Sequence, residues 1–169
     1  MRFASSALAL VASLATVSAS SVTFWTLDNI TRTIYFTPSE GYAQLKPVAV
    51  SSKEKTKVTF PTSKWKGNYY AVQKGHKNVP GMLGEVNFHD WNDMTYFDVS
   101  AIVSPKDHNN VMQMWPKVSQ WPMSGCEIWP CDNCYWLSDD LQTKVTPEDD
   151  LVTTLGTGSP GIKFAAPAQ

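Results

Sequence analysis

From Ser21 onward the chain alternates apolar and polar residues with a period of two, and Gly, Pro, Asn and Asp interrupt it at short intervals. In "SVTFWTL", Val22, Phe24 and Thr26 alternate with Thr23, Trp25 and Leu27, and "TRTIYFT" follows across Asp28-Asn29-Ile30. Successive side chains of a strand point to opposite faces, so the pattern reads as a hairpin with one face buried. Further strands are predicted over 47–50, 57–60, 67–73, 82–88, 95–102, 144–146 and 151–155. Between them lie turn stretches such as Pro38-Ser39-Glu40-Gly41, Lys74-Gly75-His76, Val79-Pro80-Gly81 and Ser104-Pro105-Lys106-Asp107. Many short strands punctuated this way predict an all-β chain with short loops and little helix, built as an antiparallel sandwich or barrel.

The first nineteen residues stand outside that pattern. Met1-Arg2 is a basic start, Ala7 to Ala15 is small and apolar, and Val17-Ser18-Ala19 supplies the small residues a signal peptidase needs. We therefore expect a signal peptide over 1–19, one domain over 20–155 and a flexible Gly/Pro/Ala-rich tail over 156–169. No later stretch approaches the ~20 apolar residues of a membrane span, so the expected product is secreted, with no membrane partner. In such a compartment Asn29-Ile30-Thr31, the single N-x-S/T sequon, predicts glycosylation at Asn29. Cys126, Cys131 and Cys134 fall within "SGCEIWPCDNCYW", and the C-x4-C spacing lets Cys126 and Cys131 close a disulfide over Pro130. Cys134 is then a buried thiol or an intermolecular one; a zinc site lacks a fourth ligand nearby. One bridge cannot hold a domain, so a core must, and the 43% apolar and 12% aromatic composition can supply it.

A formal net charge of −1 conceals two halves. Lysines at 46, 53, 55, 57, 64, 66, 74 and 77 face only Glu54 in their segment, while acids dominate from 85 to 150. A lysine series without arginine or an RNA-binding aromatic motif reads as blunted strand edges rather than a phosphate footprint. Nucleic acid is accordingly not the expected partner, and no cofactor or metal is expected.

The stretch "GEVNFHDWNDMTYFDVS" carries the chemistry. A symmetric hairpin around 89–94 pairs Phe88 with Thr95, Asn87 with Tyr96, Val86 with Phe97 and Glu85 with Asp98. Directly opposed residues share a face, so Val86 and Phe97 enter the core while Glu85, Asn87, Tyr96 and Asp98 form a polar face. Two carboxylates so placed repel unless one is protonated or a ligand lies between them.

"LGEVNFHDWNDMTYFDVSAI" resembles the acidic-cleft hairpin of thaumatin-like proteins, and "CDNCYWLSDDLQTKVTPEDDLVTTLG" is similar to that family's C-terminal segment. The resemblance implies a thaumatin-like β-sandwich of a small, fungal-type secreted form with few cysteines. It also implies an acidic cleft to which Asp132 contributes. The family's cleft arginine falls at Val72 and its further aspartate at Val103, so binding is a better expectation than catalysis.

Two functions follow. As a binder, the protein docks cell-wall polysaccharide such as β-glucan, or a host surface, through Glu85, Asn87, Tyr96, Asp98, Asp132 and Trp91, with Trp115 and Trp121 as further stacking rings. It would act as a monomer, extracellular or wall-associated. As a weak β-1,3-glucanase, it would use Glu85 and Asp98 as acid and nucleophile, since carboxyls ~5 Å apart suit a retaining mechanism. A metal-dependent nuclease built on His89, Asp90, His108 and Asn109 is the remoter form of the hydrolase reading.

Overall fold

The computed structural model describes residues 19–164. The leader expected over 1–19 lies outside these residues, Ala19 excepted, as do residues 165–169 of the tail. Eleven strands form two sheets: β1 (Ser21–Thr26), β2 (Arg32–Pro38), β3 (Val48–Val50), β4 (Thr56–Thr59), β5 (Trp65–Gln73), β6 (Leu83–Phe88), β7 (Thr95–Ser100), β8 (Val111–Pro116), β9 (Ser124–Gly125), β10 (Lys144–Thr146) and β11 (Asp150–Leu155). Sheet A runs β4-β1-β11-β8-β9 and sheet B runs β10-β7-β6-β5-β2-β3. The only helical element among the described residues is one 3-10 turn, Trp91–Asp93, between β6 and β7. The protein is an all-β sandwich whose named strands pair antiparallel except β1 and β11, which pair in parallel at the middle of sheet A.

The predicted alternation explains the layering. Val22 and Phe24 of sheet A meet Ile34, Phe36, Tyr69, Val86, Phe88, Phe97 and Val99 of sheet B in one core. Rings fill its centre: Phe24 packs edge-on to Tyr69 with centroids 5.0 Å apart, and Phe60 bridges Trp65 and Phe88 at 4.7 and 5.1 Å. Tyr69 also spans the layers, its hydroxyl bonded to that of Thr153. Its ring crosses beneath Gly84, its partner on β6, where any Cβ would overlap the ring. That glycine seats β6 tightly and fixes the level at which its neighbour Glu85 stands.

Two strands arise where no alternation announces them. All six residues of β8 are buried, because Val111 and Met114 face the core while Trp115 and Val152 on the opposite side of sheet A are themselves covered. The cover is the chain beyond β11. Pro160 is buried, and the ring of Phe164 lies edge-on to Trp115 with centroids 5.0 Å apart. The tail expected to be flexible from 156 is thus in part a packed segment. Connections are short except for 117–143, where only β9 is regular. Here a disulfide joins Cys126 to Cys131, Trp129 packs edge-on to Trp136, and Asp140 accepts from the Trp136 and Leu137 amides, so side chains replace a strand ladder.

One charge is fully buried. Arg32 opens β2 and its guanidinium binds both carboxylate oxygens of Asp28, at 2.7 and 2.6 Å, together with the carbonyls of Ile30 and Asn109 and the side-chain oxygen of Asn110. Burial works to raise the Asp28 pKa, but the hydrogen bonds and charge of Arg32 outweigh it and hold the carboxyl below its ordinary range. Gly156, at φ +79°, completes this knot, since a Cβ there would overlap Asp28. The β1–β2 connection, which crosses from sheet A to sheet B instead of closing the hairpin expected from the alternation, is tied at one point to the loop before β8 and the chain after β11.

Candidate functional site: the acidic cleft of sheet B

β6 and β7 pair in the register expected from the alternation: Asn87 opposite Tyr96, Val86 opposite Phe97 and Glu85 opposite Asp98. Val86 and Phe97 are buried in the core. The other residues face outward, and β5 extends the face by one strand, placing Asn68 beside Glu85 and Lys66 beside Asn87. Two cross-strand rows result, Asn68-Glu85-Asp98 and Lys66-Asn87-Tyr96. Ser39 and Thr143 wall them into a cleft of about 280 Å³. Rigid strands, rather than loops, hold every side chain of its floor.

Asp98 governs the electrostatics. It is 7% exposed, and burial first, then the charge and hydrogen bond of Glu85, push its pKa up to about 8. Thr143 donates to its Oδ2 at 3.3 Å, and Lys144 adds a smaller opposing pull. Its Oδ1 is buried without a partner in the protein's fixed hydrogen-bond network. A proton held by Asp98 removes the like-charge repulsion between the two groups. The raised pKa favours the neutral form of Asp98 at neutral pH.

The remaining expected site residues separate. Glu85, Asn87, Tyr96 and Asp98 come together, whereas Trp91 and Asp132 do not line the cleft. Trp91 stands 71% exposed on the adjoining turn, its carbonyl 3.3 Å from the Tyr96 hydroxyl. Asp132 is exposed on the loop after the disulfide. Trp115 is 1% exposed beneath Phe164 and cannot stack on a ligand, which corrects its assignment as an exposed ring. Val72 lines a different hollow, and Val103 is exposed on a loop. His89 pairs with Asp93 at 2.8 Å, and Asp90 accepts from the Asn87 amide. The His108 Nε2–H donates to the Pro105 carbonyl at 2.9 Å, and Asn109 gives its carbonyl to Arg32. Among the described residues no three His, Cys, Asp or Glu side chains are placed to hold a metal ion. No helix of the described residues is long and apolar enough to cross a membrane. Cys126 and Cys131 are bonded with Cα atoms 6.0 Å apart, Cys134 is a buried free thiol, and Asn29 is exposed on the connection that crosses from β1 in sheet A to β2 in sheet B.

Lys66, Asn68, Ser39 and Thr143 were not expected in the site. The alternation of β5 placed Asn68 and Tyr70 on one face, but assigning them to this cleft requires knowing that β5 lies beside β6.

Fold and site together define a small β-sandwich protein with a polar, strand-floored cleft on one outer sheet face. No protein-family model matches the chain. It belongs to the family of the antigenic protein SchS21 of Stachybotrys chartarum, with which it is 61% identical over 144 residues, covering 85% of this chain and 99% of that one. The fold is shared with the protein elicitor MoHrip2 of Magnaporthe oryzae, whose crystal structure superposes with a TM-score of 0.63 at 16% identity over 82% of this chain and all of that one. These relationships overturn the thaumatin-like assignment: the match over nearly the full length of a relative lies elsewhere.

Proposed function

We propose that this is a secreted fungal protein that binds neutral polysaccharide, such as wall β-glucan, in the cleft of sheet B. The observation that carries the reading is the row Asn68-Glu85-Asp98 beside Lys66-Asn87-Tyr96: amides, one net carboxylate, one ammonium and one phenol on a rigid floor. Neutral sugars need this mixture of donors, acceptors and an amphipathic ring. That a relative is described as antigenic and a fold neighbour as an elicitor supports exposure to other organisms, and hence secretion. Binding is favoured over glycoside cleavage because Asp98 is buried directly opposite Glu85 on the neighbouring strand and is held toward its protonated form. A scissile bond needs room between its two carboxyls.

The mature protein is expected to be retained on insoluble β-1,3-glucan, chitin or cellulose while releasing neither reducing sugar nor, from DNA or RNA with and without Mg²⁺, nucleotide. Glu85→Gln should keep most of the retention, since the amide preserves size and hydrogen bonding. Failure to bind any of the three polymers overturns the binding reading, and release of sugar or nucleotide replaces it with a hydrolase. Secretion carries its own test at Asn29. Protein from a glycosylating host should show an N-linked glycan mass lost on Asn29→Gln, and an unmodified intact mass would remove that site.

A further inference from the structure

The polar face does not stop at the cleft. One step along β5 from Asn68 stands Tyr70, and opposite it on β2 stands Tyr35. Their rings are near-parallel, with an interplanar angle of 19° and centroids 5.6 Å apart, and the Tyr70 hydroxyl is held by the Asn78 side chain at 3.0 Å. Thr37, opposite Asn68, fills the corner between them. Residues two apart on a strand share a face, as do opposed partners across strands. Tyr35, Thr37, Asn68, Tyr70, Glu85, Asn87 and Tyr96 therefore lie on one continuous outer surface over four adjacent strands.

Resting on the cleft reading above, we infer that this surface is a track for an extended, uncharged β-linked polysaccharide chain, with Tyr96 and the Tyr35–Tyr70 pair as aromatic subsites at its two ends. Three features choose that occupant. Tyr70 is opposite Leu83, which is opposite Ser100, so the rings of Tyr96 and Tyr70 are four residues apart along the strand direction and two strands apart across it. At ~3.4 Å per residue and ~4.8 Å per strand this separates them by roughly 17 Å, too far for a mono- or disaccharide to touch both. The floor of the track carries Lys66 and Glu85, of opposite sign, with Asp90 at its rim against the Asn87 amide. No cluster of one sign on the floor selects an anionic or cationic polymer. Between the rings lie amides and hydroxyls, which suit the equatorial hydroxyls of a ribbon-like chain. An aromatic pair already stacked across strands costs little ordering when a pyranose ring settles on it.

The track predicts a dependence on chain length that a single cleft does not. Calorimetric titration would compare laminaribiose with laminarihexaose, cellobiose with cellohexaose, and chitobiose with chitohexaose. The hexamer of the preferred linkage should bind about tenfold more tightly than its dimer, the scale of one or two sugar–ring contacts. Tyr35→Ala with Tyr70→Ala should reduce the hexamer to about dimer affinity, with an unchanged circular dichroism spectrum and unfolding transition showing that the variant is folded. Tyr35→Phe with Tyr70→Phe should keep the length dependence. Equal affinity for dimer and hexamer, or a hexamer untouched by loss of both rings, overturns the track while leaving the cleft intact. If neither dimer nor hexamer binds, the cleft reading falls, and the track with it.

Discussion

Arg32→Met is expected to destabilise the protein by about 3–5 kcal/mol, the cost of leaving one partner of a buried ion pair alone. The substitution strips Asp28 of its bidentate partner and leaves the Asn109 carbonyl and Asn110 side chain without their donor. Since a domain of this size is stable by only ~5–15 kcal/mol, the loss is a large share of the total. In urea, with a slope of about 1–3 kcal/mol per molar, the midpoint should fall by more than ~1 M. Adding Asp28→Asn should recover part of the deficit, because the double variant buries no unpaired charge. A single variant within ~0.5 kcal/mol of the native protein would show that the knot is not a keystone.

The second large effect is a stability that declines with pH. Asp98 titrates near 8 in the folded protein against an ordinary 3.8, so between about pH 4 and pH 8 the folded state holds a proton that the unfolded state has lost. Stability falls with pH wherever the folded state binds more protons. The contribution is fully present below about pH 4 and is lost as pH rises through about 8. With ~1.4 kcal/mol per pKa unit, the decline should be a few kcal/mol over that window. Cys134 does not titrate in it, because burial, followed by the charges of Asp140 and Asp132, pushes its thiol up to about 12. Asp98→Asn should flatten the profile and be the more stable protein at pH 8, since its amide donates toward Glu85 without a proton to lose. Parallel unfolding profiles for the two proteins from pH 5 to pH 8.5 would refute the proton held by Asp98.

Much of this was legible in the sequence because a half-buried strand writes its face into every second residue. The β6–β7 register followed from a symmetric turn around 89–94, and the alternation agrees with it: slipping β6 by one would have buried Glu85 and exposed Phe88. What could not be read was whatever depends on a second layer. β8 has no alternation because the chain past residue 156 covers its far side, so both faces are apolar for different reasons. Lys66 and Asn68 enter the cleft only because β5 lies next to β6, and no local pattern states that adjacency. The mistaken family likeness has a physical origin too. An aromatic-Phe-Asp-Val-Ser run is what any strand needs to send Phe97 and Val99 inward and one acid outward, so it reports a local geometry rather than a common ancestor.

The parallel pairing of β1 with β11 governs how the chain can be made. Sheet A has at its middle the earliest and the latest strands of the described fold, side by side from Ser21–Asp150 to Thr26–Leu155. A ribosome that has delivered β1 through β10 has delivered a sheet with a gap, its Val22 and Phe24 still waiting for Leu151 and Leu155. Closure of so distant a contact is slow, because the loop entropy is spent before any pairing rewards it. The protein cannot commit to this sheet until the whole strand order is available at once, after synthesis rather than during it.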